Sequence, residues 1–257
     1  MEGESNRAAV RERSHRVRRA VHSAAWPAVL LFVCTVSVAE PPGKSPARFL
    51  PDAESLEANI VFPPLSGDFA VWINCTAIVL AAGKMRGNWC FADGENSAWF
   101  KNAIHTAVRE LRLQPAIVNG KPVPARMNYR VLFLSAGDAR DVRVFQNWGY
   151  DVPRFGDHYL GPQRYSAMRE YPSSCVGTVR TIVARVTVTV DVAGRPGEEA
   201  QVDFAEESAS NGSCTRALQR LHRNAKYIPA ERDGTPVEAM YTELWGDYGR
   251  IALAPGG

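Results

Sequence analysis

Apolar residues recur at every second position from Val71 through Ile73, Cys75, Ala77 and Val79, which predicts a strand with one buried face. Ala82-Gly83-Lys84 breaks the run, and Met85–Phe91 is read as the returning strand. With Ala82-Gly83 as a two-residue hairpin loop, Cys75 falls directly opposite Cys90. Phe100, Ala103, Ile104, Ala107, Val108 and Leu111 then follow helical spacing, with Asn102, Thr106, Arg109 and Glu110 on the wet face. Pro115 stops that helix, Asn119-Gly120 marks a turn, and Val123–Phe133 is a third strand. The order is β-β-α-β.

The same order returns in the second half. Ile182, Ala184, Val186, Val188 and Val190 alternate with mostly polar neighbours, Asp191–Gly194 turns the chain, and Glu199–Phe204 follows as a strand. Cys214, Ala217, Leu218, Leu221 and Ala225 line one face of a helix, while Arg216, Arg220 and Arg223 lie largely on the solvated side. Val237–Leu244 is the last strand. The likeness extends to residues. Leu113–Ala125 and Tyr227–Ala239 both read aromatic or Leu, x, Pro-Ala, x, x, Asn or Asp, Gly, x, Pro-Val, x, Ala, with matched pairs 114 positions apart. Pro115 and Pro229, Gly120 and Gly234, and Val123 and Val237 are such pairs, so the chain holds two copies of one module.

Before the modules, Arg7, Arg11, Arg13, Arg16, Arg18 and Arg19 precede an uncharged stretch from Ala24 to Val38, and Ser37-Val38-Ala39 places small residues before Glu40. That is a secretory signal pattern, too short for the roughly 20 apolar residues of a membrane span; an uncleaved anchor is the competing reading. The expected layout is a signal segment at 1–39, a proline-rich lead-in linker at 40–66, module one at 67–135, an aromatic inter-module segment at 136–170, module two at 171–248 and a tail at 249–257. The aromatic segment carries Phe145, Trp148, Tyr150, Phe155, Tyr159 and Tyr165, a density that predicts packing between or across the modules.

Apolar content of 46% supports a packed core. The net charge of +3 resides entirely in residues 1–39, and the rest balances at 24 basic and 24 acidic side chains. Bulk charge therefore gives no case for nucleic-acid binding. Removal of the signal would leave Cys75, Cys90, Cys175 and Cys214, an even number that suggests disulfides in an exported chain. Four cysteines allow three pairings; the hairpin favours Cys75 with Cys90, the alternative being two unconnected buried thiols. His105 and His222 both read as lying near the polar side of their helices. No catalytic constellation, phosphate loop or paired metal-ligand spacing stands out, so no cofactor or metal is expected. Asn74-Cys75-Thr76 and Asn211-Gly212-Ser213 read as glycosylation sequons, relevant only in a host that uses them.

Module two resembles the C-terminal domain of TonB, the periplasmic energy-transducing family of Gram-negative bacteria. The resemblance rests on Tyr171-Pro172, the strand through Val190, Gly194-Arg195, the closing helix, Tyr227-Ile228-Pro229-Ala230 and Gly234-Thr235-Pro236-Val237. It covers about Tyr171–Tyr248; module one matches from the hairpin onward and lacks Tyr-Pro. The resemblance implies an α+β fold of two β-β-α-β modules with antiparallel sheets. Cys175 stands where the family has Ala at the start of a short helix, and Cys214 begins the long helix that packs on it, so the resemblance implies a Cys175–Cys214 bridge. Pro196 replaces the usual Val after Gly194-Arg195 and is expected to shorten the second strand.

The family takes up an extended receptor peptide along its last strand. Carried over, that strand is Val237, Glu238, Ala239, Met240, Tyr241, Thr242, Glu243 and Leu244, and its counterpart in module one is Val123–Arg130. The opposing expectation is that both edges are covered, by each other or by the aromatic segment. The resulting expectation is an exported, periplasmic, non-enzymatic protein that binds a peptide or periplasmic partner, such as an outer-membrane receptor segment, by strand addition. A membrane-anchored transducer for receptor-mediated transport and a thiol-dependent enzyme are the alternatives. A membrane contact follows only if the signal segment is retained.

Overall fold

The computed structural model describes residues 43–92, 96–166, 172–175, 183–205 and 212–246. All belong to Glu40–Gly257, one compact unit. The expected signal segment at 1–39, Tyr171, Ile182, Asn211 and the tail expected at 249–257 lie outside the described residues. The fold is mixed α+β with antiparallel sheets.

The lead-in runs extended, as its prolines suggest, but it is built into the sheets. It carries β1 (Lys44–Ser45), β2 (Arg48–Phe49) and a short helix α1 (Leu56–Asn59), with Ala47 and Leu56 fully buried. Module one follows as β3 (Phe69–Val79), β4 (Met85–Phe91), α2 (Ser97–Glu110), β5 (Leu113–Gln114), β6 (Ala116–Val118), β7 (Lys121–Val123) and β8 (Ala125–Ala136). The inter-module segment adds β9 (Ala139–Phe145), α3 (Val152–Phe155) and β10 (Gln163–Arg164). Module two is β11 (Ala184–Val190), β12 (Pro196–Phe204), α4 (Gly212–Asn224), β13 (Tyr227–Ile228), β14 (Ala230–Arg232), β15 (Thr235–Val237) and β16 (Ala239–Trp245). Each module therefore has strand, strand, helix, strand, with a small hairpin between helix and last strand.

The two copies superpose in register. Ala116, Ile117 and Val118 pair with Val123, Pro122 and Lys121; their counterparts Ala230, Glu231 and Arg232 pair with Val237, Pro236 and Thr235. Asn119-Gly120 and Asp233-Gly234 turn these hairpins, all four residues at positive φ, the chemistry of a tight two-residue turn. The repeat also reaches into segments whose sequences show no likeness. β2 pairs Arg48 with Gln114 and Phe49 with Leu113; β10 pairs Gln163 with Ile228 and Arg164 with Tyr227. Ser45 opposes Ile117 just as Leu160 opposes Glu231. Each repeat thus begins with a short strand before its hairpin, and these leading strands fall inside the supposed linker and the aromatic segment.

The β3–β4 hairpin reaches the expected cysteine pairing by a different route. Leu80 N–H donates to Lys84 O and Gly83 N–H to Leu80 O, both at 2.8 Å, so the loop has three residues, not two. A bulge opposite Ala77 then shifts the register back, and Cys75 opposes Cys90. Module two turns alike, with Asp191 N–H donating to Arg195 O and Gly194 N–H to Asp191 O. A Cβ on Gly83 would lie 2.3 Å from Leu113 O, and one on Gly194 would lie 2.2 Å from Tyr227 O. Both glycines, at φ +74°, let the hairpin pack under the strand that follows the helix. β12 begins at Pro196 itself and is not shortened by it, because the edge position leaves the missing N–H without a ladder to break.

Each module has its own core. Ile73, Phe100, Ile104, Met127, Tyr129 and Phe133 centre the first; Val186, Val188, Leu218, Tyr227, Tyr241 and Trp245 centre the second. A small third cluster of Tyr159, Ala230 and Ala239 joins the inter-module segment to module two.

Candidate functional site

The stretch Val237–Leu244 is divided. Val237 ends β15, Glu238 is exposed between strands, and Ala239–Leu244 run in β16, paired along one side to β11. On the other side the edge is closed by side chains. Met240 N–H donates to Asp151 Oδ2 at 2.8 Å, and Asn128 Nδ2 donates to Thr242 O at 2.6 Å. Ala239, Tyr241, Thr242, Glu243 and Leu244 are buried, and Met240 is exposed. In module one backbone meets the matching stretch at Arg126, opposed by Arg164 of β10, and at Arg130, from which β9 pairs onward along β8 to Ala136. The aromatic segment thus lies across both modules.

At the centre of this junction sits a buried ionic cluster. Tyr241, Glu243 and Trp245 occupy the core side of β16, facing α4. Arg164 holds the Glu243 carboxylate in a fork, Nε to Oε2 at 2.8 Å and Nη2 to Oε1 at 2.7 Å. Tyr241 OH donates to Oε2 at 2.7 Å. Arg126 Nε, from module one, lies 3.1 Å from Oε1 as an ion pair without hydrogen-bond alignment. Arg164 and Glu243 are 0% and 2% exposed, so three elements distant in sequence are joined through one carboxylate out of reach of water. Burial alone pushes the Glu243 carboxyl up, but Arg126 and Arg164 outweigh it and hold the group well below the usual carboxylate range. Burial keeps the Tyr241 phenol protonated, which suits it to donate.

Behind the carboxylate stands His222, which is fully buried rather than near the polar side of α4. Trp245 Nε1–H donates to Nε2 at 3.1 Å, so Nδ1 carries the proton and donates to Tyr227 OH at 2.9 Å; that hydroxyl donates to His222 O at 3.2 Å. Every polar atom of the ring is satisfied in the neutral form, and burial, with Arg164 and Arg126 nearby, lowers the imidazole to about 4. The arrangement suits rigid docking rather than proton transfer. One signal for it stood in the sequence: Glu243 takes the strand parity of the core residues Tyr241 and Trp245. Nothing in the sequence pointed to Arg164 or His222 as its companions.

Both disulfides form, Cys75 with Cys90 and Cys175 with Cys214, the second tying the one-turn helix at Ser173–Cys175 to α4. Among the described residues no group of three potential metal ligands comes together, and no helix is long and apolar enough to cross a membrane.

A different edge is open. β12 pairs with β11 on one side only, and its outer side has no strand partner among the described residues. Glu199 and Gln201 are exposed on one face and Ala200 is buried on the other. A cavity of about 750 Å³ straddles this edge, lined by Thr187, Thr189, Glu199 and Gln201 on one side and by Gln219 and Arg223 of α4 on the other. Compared with known protein families, curated proteins and solved structures, the chain matches none.

Proposed function

We propose that this is an exported, non-enzymatic binding protein of two TonB-like modules that takes up an extended peptide or a periplasmic partner segment as an added strand. The observation that carries the reading is the one-sided pairing of β12 beside a cavity of about 750 Å³ lined by residues of the sheet and of α4. The strand-strand-helix-strand order of each copy supports the TonB-like assignment, and two disulfides support an oxidising compartment. β12 is the receiving edge in this reading. Uptake along Val237–Leu244 instead requires Asp151 and Asn128 to release Met240 and Thr242.

The test is selection of random decapeptides on the intact, oxidised protein, followed by amide hydrogen exchange with and without a selected peptide. Slowed exchange within Pro196–Phe204 is expected. Protection confined to another surface, or failure to select any peptide, sinks the proposal. N-terminal sequencing of the native protein after cell fractionation checks export, with a periplasmic chain starting near Glu40 as the expected result.

A further inference from the structure

We infer that the segment received along β12 carries basic side chains on the outer sheet face and an acidic side chain on the face toward α4. This rests on the strand-addition reading and adds the chemistry of the ligand. β12 contains Glu198, Glu199 and Asp203 and no basic residue. Asp203 is matched by Arg185 at 3.3 Å, whereas Glu198 and Glu199 have no ion pair among the described residues. On the other flank, α4 contains Arg216, Arg220 and Arg223 and no acidic residue, and none of the three is ion-paired among the described residues. Both flanks of the edge therefore hold charge of opposite sign that has no ion pair among the described residues.

Side chains of an added strand alternate between the two faces of the sheet, in step with β12 from Ala200 to Phe204; Glu198 and Glu199 lie where the ladder to β11 is irregular, both exposed at the cavity. Those on the outer face come beside Glu199 and Gln201, which oppose Thr187 and its neighbours. Those on the inner face come beside Ala200 and Val202, with Arg223 at the groove wall and Glu198 at the cavity's end toward the start of β12. Opposite charges across strands attract and like charges repel. The complementary ligand is thus basic at alternate positions, apolar between them, and acidic where it meets Arg223. The same rule disfavours a second copy of β12 as the occupant. Antiparallel pairing about Gln201 sets Glu199 against Asp203, and pairing about Glu199 sets that residue against itself.

The probe is a labelled, capped heptapeptide with lysine at every odd position, valine between and glutamate at the centre. It is titrated into the intact protein by fluorescence anisotropy beside the peptide with lysine and glutamate exchanged. The lysine-rich probe is expected to bind at least about tenfold more tightly, and N-methylation of alternate backbone amides to abolish its binding. Glu199→Lys narrows or inverts the preference, and Arg223→Glu restores binding to a probe with lysine at its centre; both positions are exposed, so folding is retained. Equal binding of both probes, still abolished by N-methylation, overturns the charge assignment and leaves strand addition standing. Binding indifferent to N-methylation is electrostatic adhesion and overturns both, as does failure of the lysine-rich probe to bind.

Discussion

Module one places Phe49 edge-on against Tyr129, ring centroids 5.3 Å apart; module two places Arg164 against Glu243. These are the same slot. Phe49 and Arg164 pair with the matched positions Leu113 and Tyr227, and Tyr129 and Glu243 stand 114 residues apart. One backbone arrangement accepts either an aromatic pair or a buried ion pair. The aromatic pair is self-sufficient, because Tyr129 needs only Asn88, whose Oδ1 accepts its hydroxyl at 2.7 Å. The ion pair leaves charge on the carboxylate over, and Arg126 of the other module stands against it as a second counter-charge. A buried charge is a poor general stabiliser but a strict constraint on neighbours. Here it ties β8, β10 and β16 together.

The largest expected effect comes from breaking that asymmetry. Glu243→Leu strands Arg126 and Arg164 without a counter-charge and should cost about 3–5 kcal/mol in urea unfolding. Transplanting module one's solution, Arg164→Phe with Glu243→Tyr, should recover part of that loss, leaving Arg126 without its counter-charge and the Tyr241 hydroxyl without its acceptor. If the transplant is no better than Glu243→Leu, the two slots are not equivalent.

Next come the disulfides, which close loops of 15 and 39 residues. Replacing both partners by Ala should cost about 3 kcal/mol for Cys75–Cys90 and about 4 kcal/mol for Cys175–Cys214 on the loop-entropy account. Denaturation of the two double variants measures the difference, and a reversed order tells against that account.

Acid sharpens the contrast between the modules. His222 is lowered by burial from 6.5 to about 4, so the unfolded chain binds its proton first. Its contribution is complete above about pH 6.5 and is lost as pH falls toward 4, by roughly 3 kcal/mol. His105 in module one shifts the same way but is only half-buried. Stability measured against pH should therefore flatten more in His222→Gln than in His105→Gln; equal slopes contradict the placement of His222.

The smallest effect concerns the edges. Asp151→Ala frees Met240 N–H and should cost about 1–2 kcal/mol, with faster exchange at that amide. Amides of β8 facing β9 should be unaffected, since backbone closes that edge.

Much of this architecture was legible because it obeys period. The alternation of β3 and β11, the helical stripes of α2 and α4, and the matched turns at Asn119-Gly120 and Asp233-Gly234 each follow from local chemistry. The hairpin loop was read one residue short, and the bulge opposite Ala77 compensated, so the Cys75–Cys90 pairing emerged in spite of the turn. What stayed hidden was long-range. Lys44-Ser45 and Leu160 share no residue likeness, yet they take equivalent places because backbone pairing asks little of side chains. That the β16 edge is covered was one of the two expectations, but Asn128 and Asp151, which cover it, lie too far from Val237–Leu244 in sequence to be picked out. Among the described residues β12 and β4 each pair on one side only, and it is the cavity beside β12, which no periodicity could single out, that distinguishes the two.

The direct turn from β8 into β9 also bears on the order of folding. A chain made from its N-terminus exposes the apolar run Val131–Leu134 before module two exists, and an unpaired edge at that stage invites aggregation. The strand that covers it is the next one to be made, a hairpin away. When β16 finally appears, Asn128 and Asp151 are already in the chain. Neither third strand has to wait for a segment far downstream, so the inter-module segment acts as a chaperone supplied in sequence, guarding one module while the other is still unmade.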